Sequence, residues 1–151
     1  MSIGDAEIKT QERVIRFFKD PEILGYQYLG NLSDYQNKNI KEDRLRQYLR
    51  MKGYADTLID AAVTRLQQEA GNLSRGVYDT NKTVYSRLKY GIPISESPEK
   101  PPVTVQLIDE ENPLNNDFAI AEEGKVVDQS EKRPDLVVYL NGIAVAVIEL
   151  K

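Results

Sequence analysis

Two carboxylates and an ammonium group gather near the end of the chain, in the run Arg133-Pro-Asp135-Leu-Val-Val-Tyr-Leu-Asn-Gly-Ile-Ala-Val-Ala-Val-Ile-Glu149-Leu-Lys151. Side chains alternate along a strand, so Glu149 and Lys151 point to the same side, about 7 Å apart. The run before them is apolar, which makes them charges at the end of a buried strand. An isolated buried charge is very costly, and this favours mutual pairing or a bound cation. Asp135 opens the preceding strand, and the short Asn141-Gly142 turn folds it back beside Glu149. Two carboxylates can hold Mg²⁺ together with waters and a phosphate oxygen. Such a cation lowers the pKa of bound water and neutralises charge growing on a phosphorane. Lys151 can orient or help deprotonate the attacking water, or stabilise the developing negative charge. The set suffices for phosphodiester hydrolysis without His or Cys. The triplet alone is a weak signature, because many buried strands end in a charged flank.

The turn imposes a geometric condition. In a strict two-residue hairpin Leu140 faces Ile143, and the register then sets Asp135 opposite Ile148 and on the other side of the sheet from Glu149. A shared metal requires a shift of one residue. The expectation is therefore a three-residue loop with Gly142 at positive φ, or a β-bulge near Asp135.

Composition narrows the chemistry further. The 151 residues are one domain's worth of chain, with 40% hydrophobic and 29% charged residues, as in ordinary globular proteins. There is no Cys, which excludes disulfides, zinc-thiolate sites and thiol nucleophiles, and no His, the usual general base. A bound metal is then a hard cation held by oxygen. The net charge of −4 is uneven: residues 1–90 hold 15 basic and 12 acidic side chains, and residues 91–151 hold 5 and 12. An acidic half around the motif suits a cation site and a more basic half suits phosphates, although a mildly acidic balance also suits any cytoplasmic protein. No apolar run approaches the roughly 20 residues needed to span a bilayer, and the N-terminus lacks a signal-peptide pattern. A cytoplasmic protein with no membrane partner is expected.

Several elements must position the triplet. Asp5 to Asp20 reads as an amphipathic helix stopped by Pro21, with Ile8, Val14, Ile15 and Phe18 on one face. Gly25 to Gly30 is a short aromatic-rich strand. Helices follow at Glu42 to Arg50, at Asp56 to Ala70 with Asp56 as N-cap and Gly71 as stop, and at Thr80 to Tyr90 with Gly91 just beyond. Ile92 to Pro102 contains four prolines and reads as a loop. The pattern then turns to β: Val103 to Asp109, a weaker segment from Asp117 to Val127, Asp135 to Leu140, and Ile143 to Glu149. The continuous apolar run 143–148 suggests a central strand covered on both faces. Residues 1–91 are mainly helical and 92–151 mainly β, which makes the class α/β or α+β with a mixed sheet.

The spacing of these motifs resembles the N-terminal endonuclease domain of type I restriction R subunits. That family carries an "IDF-NP-NN-F" segment and then "RPD-hydrophobic-NG-hydrophobic-ELK". This chain has Leu107-Ile-Asp109, Asn112-Pro113, Asn115-Asn-Asp-Phe118, Arg133-Pro-Asp135, Asn141-Gly142 and Glu149-Leu-Lys151, with Leu88-Lys-Tyr-Gly-Ile92 upstream. The resemblance implies a restriction-endonuclease-like, PD-(D/E)xK fold: a mixed sheet flanked by helices, here incomplete at its C-terminal edge. It implies Mg²⁺-dependent DNA cleavage, with Asp135 and Glu149 as metal ligands and Lys151 as the catalytic lysine. An acidic residue on the first helix also takes part in the family, and Glu12 is the choice here with Glu7 the rival. The implied partners are DNA and the methyltransferase and specificity subunits. Family members continue into a Gln-x-x-x-Tyr helix and an ATP-driven translocase. This sequence stops at Lys151 and has no Gly-x-x-x-x-Gly-Lys-Ser/Thr loop, so ATP hydrolysis is not expected of it, and cleavage by it alone is expected to be weak or absent.

Other residues carry two readings each. Lys38, Lys41, Arg44, Arg46, Arg50 and Lys52 either grip DNA phosphates or form the wet face of a short helix. Arg133 either meets a phosphate or pairs with nearby acids. Tyr26, Tyr28, Tyr85 and Tyr90 stand beside apolar residues and read as core rather than base-stacking platforms. Asp109 either supports the metal site or caps the following loop with Asn112. The alternative to an enzyme is a docking module that keeps the fold without chemistry. A repair or resolvase nuclease of the same superfamily is disfavoured by the Ile108-Asp109…Asn112-Pro113…Asn116 segment.

Overall fold

The apolar periodicity of the first twenty residues becomes helix α1 (Ile3–Lys19), which ends two residues before Pro21. The computed structural model describes residues 3–32, 39–123 and 135–150. After α1 come β1 (Gln27–Asn31), α2 (Glu42–Met51), α3 (Asp56–Gly71), α4 (Val77–Tyr90), β2 (Ile92–Ile94), β3 (Val103–Val105), β4 (Phe118–Glu122), β5 (Leu136–Leu140) and β6 (Ile143–Ile148). Single 3₁₀ turns lie at Leu73–Arg75 and Pro113–Asn115. The class is α+β, as the order of patterns along the chain implies. In space the chain divides into two compact units, residues 1–39 with 118–151, and residues 40–117.

The first unit is a mixed sheet of order β1-β4-β5-β6, with β1 parallel to β4 and the other neighbours antiparallel. One face buries Ile120 and Leu136 under Ile15 of α1, with Val14, Phe18, Ile148 and Leu150 packed around them. Full burial of such an aliphatic side chain contributes roughly 1.5–3 kcal/mol, so this seam fixes α1 on the sheet. The opposite face gathers Ala119, Ala121, Val137 and Tyr139, with Leu29, Leu32 and Ala144 against them.

The expected central position of residues 143–148 is not what the structure shows. Among the described strands β6 lies at the sheet edge, and its Val145 and Val147 are exposed, Val147 to 63%. The fully covered strand is β4, where Ala119, Ile120 and Ala121 are all buried. A continuous apolar run satisfies a two-sided strand, but it does not specify the neighbours that would cover it.

The second unit packs α2, α3 and α4 with the β2–β3 ribbon. Its buried side chains are Leu45, Tyr48 and Leu49 of α2, Ile59, Ala62, Val63 and Leu66 of α3, and Ile92, Val105 and Leu107. Three local expectations are corrected here. Ala55, not Asp56, is the N-cap of α3, and Gly71 ends the helix from within it. Within the expected loop 92–102, Ile92–Ile94 is a strand, paired through Pro93 with Thr104. A two-stranded ribbon leaves backbone positions without a ladder partner, so a proline is accommodated there. Ile92 and Ile94 are buried on its inner side. Tyr85 and Tyr90 are not core: they are 63% and 64% exposed. Gly91 does close α4, at φ 79°, and a Cβ there would stand 2.7 Å from Thr104 Cγ2 and 2.8 Å from the Val105 carbonyl. The glycine of the Leu88–Ile92 motif therefore serves both a left-handed cap and a close backbone approach.

Candidate metal centre and nucleic-acid contacts

The β5–β6 hairpin decides whether the two carboxylates meet. Its turn is two residues long, because Leu140 pairs with Ile143, and both Asn141 (φ 51°) and Gly142 (φ 79°) are left-handed. These are the torsions of a type I′ turn, which Asn-Gly favours. The pairing then shifts: Tyr139 faces Ala144, but Val138 faces Ala146, so Val145 is an extra residue on β6. Beyond this bulge Leu136 faces Ile148, the last pair of the ladder, and the same register continued by one residue would set Asp135 opposite Glu149. The one-residue shift is the one a shared site requires. It comes from the bulge alternative, placed nearer the turn than to Asp135, and not from a three-residue loop.

Alternation sets Asp135 and Glu149 on the face of Val137 and Tyr139, opposite to Leu136 and Ile148. Asp135 is half-buried and its Oδ2 accepts the Leu150 N–H at 2.7 Å. This bond turns the carboxylate toward the end of β6. Glu149 is exposed. Lys151 and Arg133 lie outside the described residues, as does Lys38 of the basic stretch.

Glu12 does not join this pair. It lines a cleft of about 700 Å³ together with Arg16 and Lys19 of α1, Tyr28 of β1 and Glu122 of β4. The cleft lies on the α1 face of the sheet, and Glu7 is an exposed position of the same helix. Among the described residues no group of three acidic side chains is arranged to hold a metal ion.

Two acids that sequence reasoning passed over occupy the end of β4. Glu122 accepts from Gln11 Nε2 and from the Tyr28 hydroxyl. Burial and then the adjacent Glu122 carboxylate push the Tyr28 phenol up to about 12. Glu123 is buried, accepts from the Tyr139 hydroxyl, and donates its N–H to the Asp135 carbonyl at 3.1 Å. Burial first, and Glu123 second, raise the Tyr139 phenol well above its ordinary value. The signal available in the sequence was a Glu-Glu pair closing an apolar strand segment.

The basic residues of α2 are engaged within their own unit. Arg44 grips Asp117 through two bonds of 2.7 and 2.9 Å. Arg46 bonds Glu42 and Asp60, and Arg50 bonds Asp56 at 3.3 Å. Lys41 is the half-buried N-cap residue of α2, with no side-chain cap bond. Lys52 bonds Asp109 Oδ2 at 2.7 Å. These pairs follow the wet-helix-face reading more closely than the phosphate-gripping one.

Asp109 anchors the loop that follows it. Besides Lys52 it accepts the Asn112 N–H at 2.8 Å and Asn115 Nδ2 at 3.1 Å. Asn116 bridges the same turn, accepting the Asp109 N–H and donating to the Asp109 and Pro113 carbonyls. Lys52 foremost, with these amides, holds the Asp109 carboxyl down at about 2. The Asp…Asn-Pro…Asn-Asn pattern is thus a loop clasp, which is the capping alternative.

Comparison with known proteins agrees with these motifs. Residues 7–151 match the family model described as type I restriction enzyme R protein N terminus. A putative type I restriction enzyme MjaIXP endonuclease subunit from Methanocaldococcus jannaschii is 40% identical over 76 residues, covering 46% of this chain and 7% of that relative. The chain therefore spans a small part of the relative's length. No solved structure matches.

Proposed function

Since the chain belongs to the family of type I restriction enzyme R protein N-termini, we propose that it is the DNA-cleaving domain of a restriction subunit and uses Asp135 and Glu149 to hold Mg²⁺. The observation that carries this reading is the bulge at Val145, which turns a hairpin of the wrong register into one whose continuation beyond Leu136–Ile148 brings Asp135 toward Glu149. The donor set fits a hard cation: both groups are carboxylates, and Asp135 is already oriented by the Leu150 N–H. A cation bound there supplies a water of lowered pKa and neutralises charge on the phosphate under attack. Asp135 and Glu149 would hold the cation at the sheet end, where it would accept a phosphate oxygen as a further ligand. Lys151 follows Glu149 by two residues, and its ammonium orients the attacking water or stabilises the charge that develops. Glu12 remains a candidate third acid only if the α1 cleft and the strand ends share a substrate. DNA, ATP-driven motor domains, and methyltransferase and specificity subunits complete the proposed assembly.

Calorimetric titration with Mg²⁺ or Mn²⁺ tests the site. Binding should disappear in Asp135→Ala and in Glu149→Ala, while Lys151→Ala should keep it. Binding that ignores both carboxylate changes would sink the metal centre and favour a docking module of the same fold.

A further inference from the structure

The engagement of the α2 arginines leaves open which surface of the 40–117 unit meets DNA. On α4, Tyr78, Lys82, Tyr85 and Lys89 recur at spacings of four, three and four residues. At about 100° per residue these four side chains fall within an arc of roughly 60° and extend about 16 Å along the axis. Tyr78 is 78% exposed, and Lys82, Tyr85, Lys89 and the adjoining Tyr90 are exposed as well. The opposite side of α4 faces the unit: Thr80 is buried, and Arg87 is fastened to Glu69 of α3 by bonds of 2.7 and 2.8 Å. Arg44, Arg46, Arg50, Lys52, Arg65 and Arg87 are held in ion pairs within the chain. Lys89 Nζ rests 5.2 Å from the Tyr90 ring centroid.

Three large aromatic side chains stand exposed along this part of α4, each with an apolar body and a phenol hydroxyl at its tip. With interleaved lysines they match a polyanion: ammonium groups neutralise phosphates, and phenol hydroxyls donate to phosphate oxygens. Asp79 precedes Lys82 by three residues on the same helix, and Tyr90 foremost, with Glu110 last, raises the Lys89 ammonium above its ordinary value.

We propose that the exposed Tyr78-Lys82-Tyr85-Lys89 face of α4 is a contact surface for the phosphate backbone of duplex DNA. It rests on the reading that this chain works on DNA, but it uses none of the proposed metal ligands. The duplex is favoured over a single strand because the stripe lies on a convex helix surface. Single-strand binding relies on a groove that tracks the backbone while bases stack within it.

Fluorescence anisotropy with a short labelled duplex, in EDTA and at low salt, tests this directly. Lys82→Gln with Lys89→Gln should weaken duplex binding by about tenfold and lower the salt-dependence slope by roughly two. Tyr78→Phe with Tyr85→Phe should weaken it less, and the exposed Lys100→Gln control should bind like the native chain. Far-UV circular dichroism confirms that each variant is folded. Because the measurement is made in EDTA, it reads duplex binding without the proposed cation, which separates this test from that of the metal centre. The proposal is overturned if the native chain does not bind duplex, if it prefers a single strand of equal length, or if the double lysine variant binds like native.

Discussion

Asp109 shows how one buried carboxylate organises the residues around it. Three donors, from Lys52, Asn112 and Asn115, converge on its two oxygens, and Asn116 ties the same loop through main-chain bonds. Those donors favour the ionised form, which is why its pKa is depressed to about 2. In the unfolded chain the carboxyl returns to about 3.9. Its stabilising contribution is therefore complete above that value and is lost as pH falls toward 2. Asp109→Asn should lower the urea midpoint at neutral pH, with the difference from the native chain closing through that acid window. An equal difference at both ends of the range would mean that the clasp acts through shape, not charge. Asp135 and Glu149 belong to the same scale: their types were legible as candidate metal ligands, whereas the Leu150 N–H that orients Asp135 was not.

The hairpin, as an element, converts sequence spacing into geometry. Asn141 and Gly142 admit positive φ, and so they hold a two-residue turn and the Leu140–Ile143 pairing. With that pairing set, one extra residue must be absorbed before the strands reach Asp135 and Glu149, and Val145 is the one displaced. An antiparallel bulge near an edge costs little pairing, because one side of β6 has no neighbour among the described strands. Deleting Val145 removes the surplus residue but leaves Asp135 opposite Glu149. The deletion should therefore retain metal binding by calorimetry, unlike either carboxylate substitution. Loss of binding in a folded deletion variant would show that the twist of the bulge, and not only the register, is needed.

At the scale of the whole molecule, both units carry phenols that keep their protons in the folded state. Tyr28 in the sheet unit and Tyr48 in the helical unit are each pushed up to about 12, chiefly by burial, and Tyr139 is raised as well. An unfolded tyrosine titrates near 10. Stability from these groups is therefore present below about pH 10 and is lost as pH rises through the folded values. Phenolate absorbance should show a late-titrating class of tyrosines in the folded chain that vanishes in denaturant. Unfolding at alkaline pH should accompany its titration. A single titration near 10 in the folded chain would contradict the burial of Tyr28, Tyr48 and Tyr139.

The sequence by itself determined what local pattern controls. The helical stripes of α1 to α4, the Asn-Gly turn, the glycine after α4 and the β character of the last segments are set by side chains a few residues apart. The need for a one-residue shift was also legible, since alternation and turn length are local quantities. Only the tertiary structure decided matters that depend on distant neighbours. Burial patterns do not encode strand order, so β6 proved an edge strand among the described strands instead of a central one. Charge runs do not name their partners, so Arg44, Arg46 and Arg50 proved engaged with Asp117, Glu42, Asp60 and Asp56. Helical phase alone does not say which face of the sheet a residue meets, and Glu12 came to line a cleft with Glu122 and Tyr28 on the α1 face, while Asp135 and Glu149 lie by alternation on the other. The physical reason is common to all three: a side chain's type is a property of one position, but what it pairs with is settled by residues tens of positions away, brought near by packing.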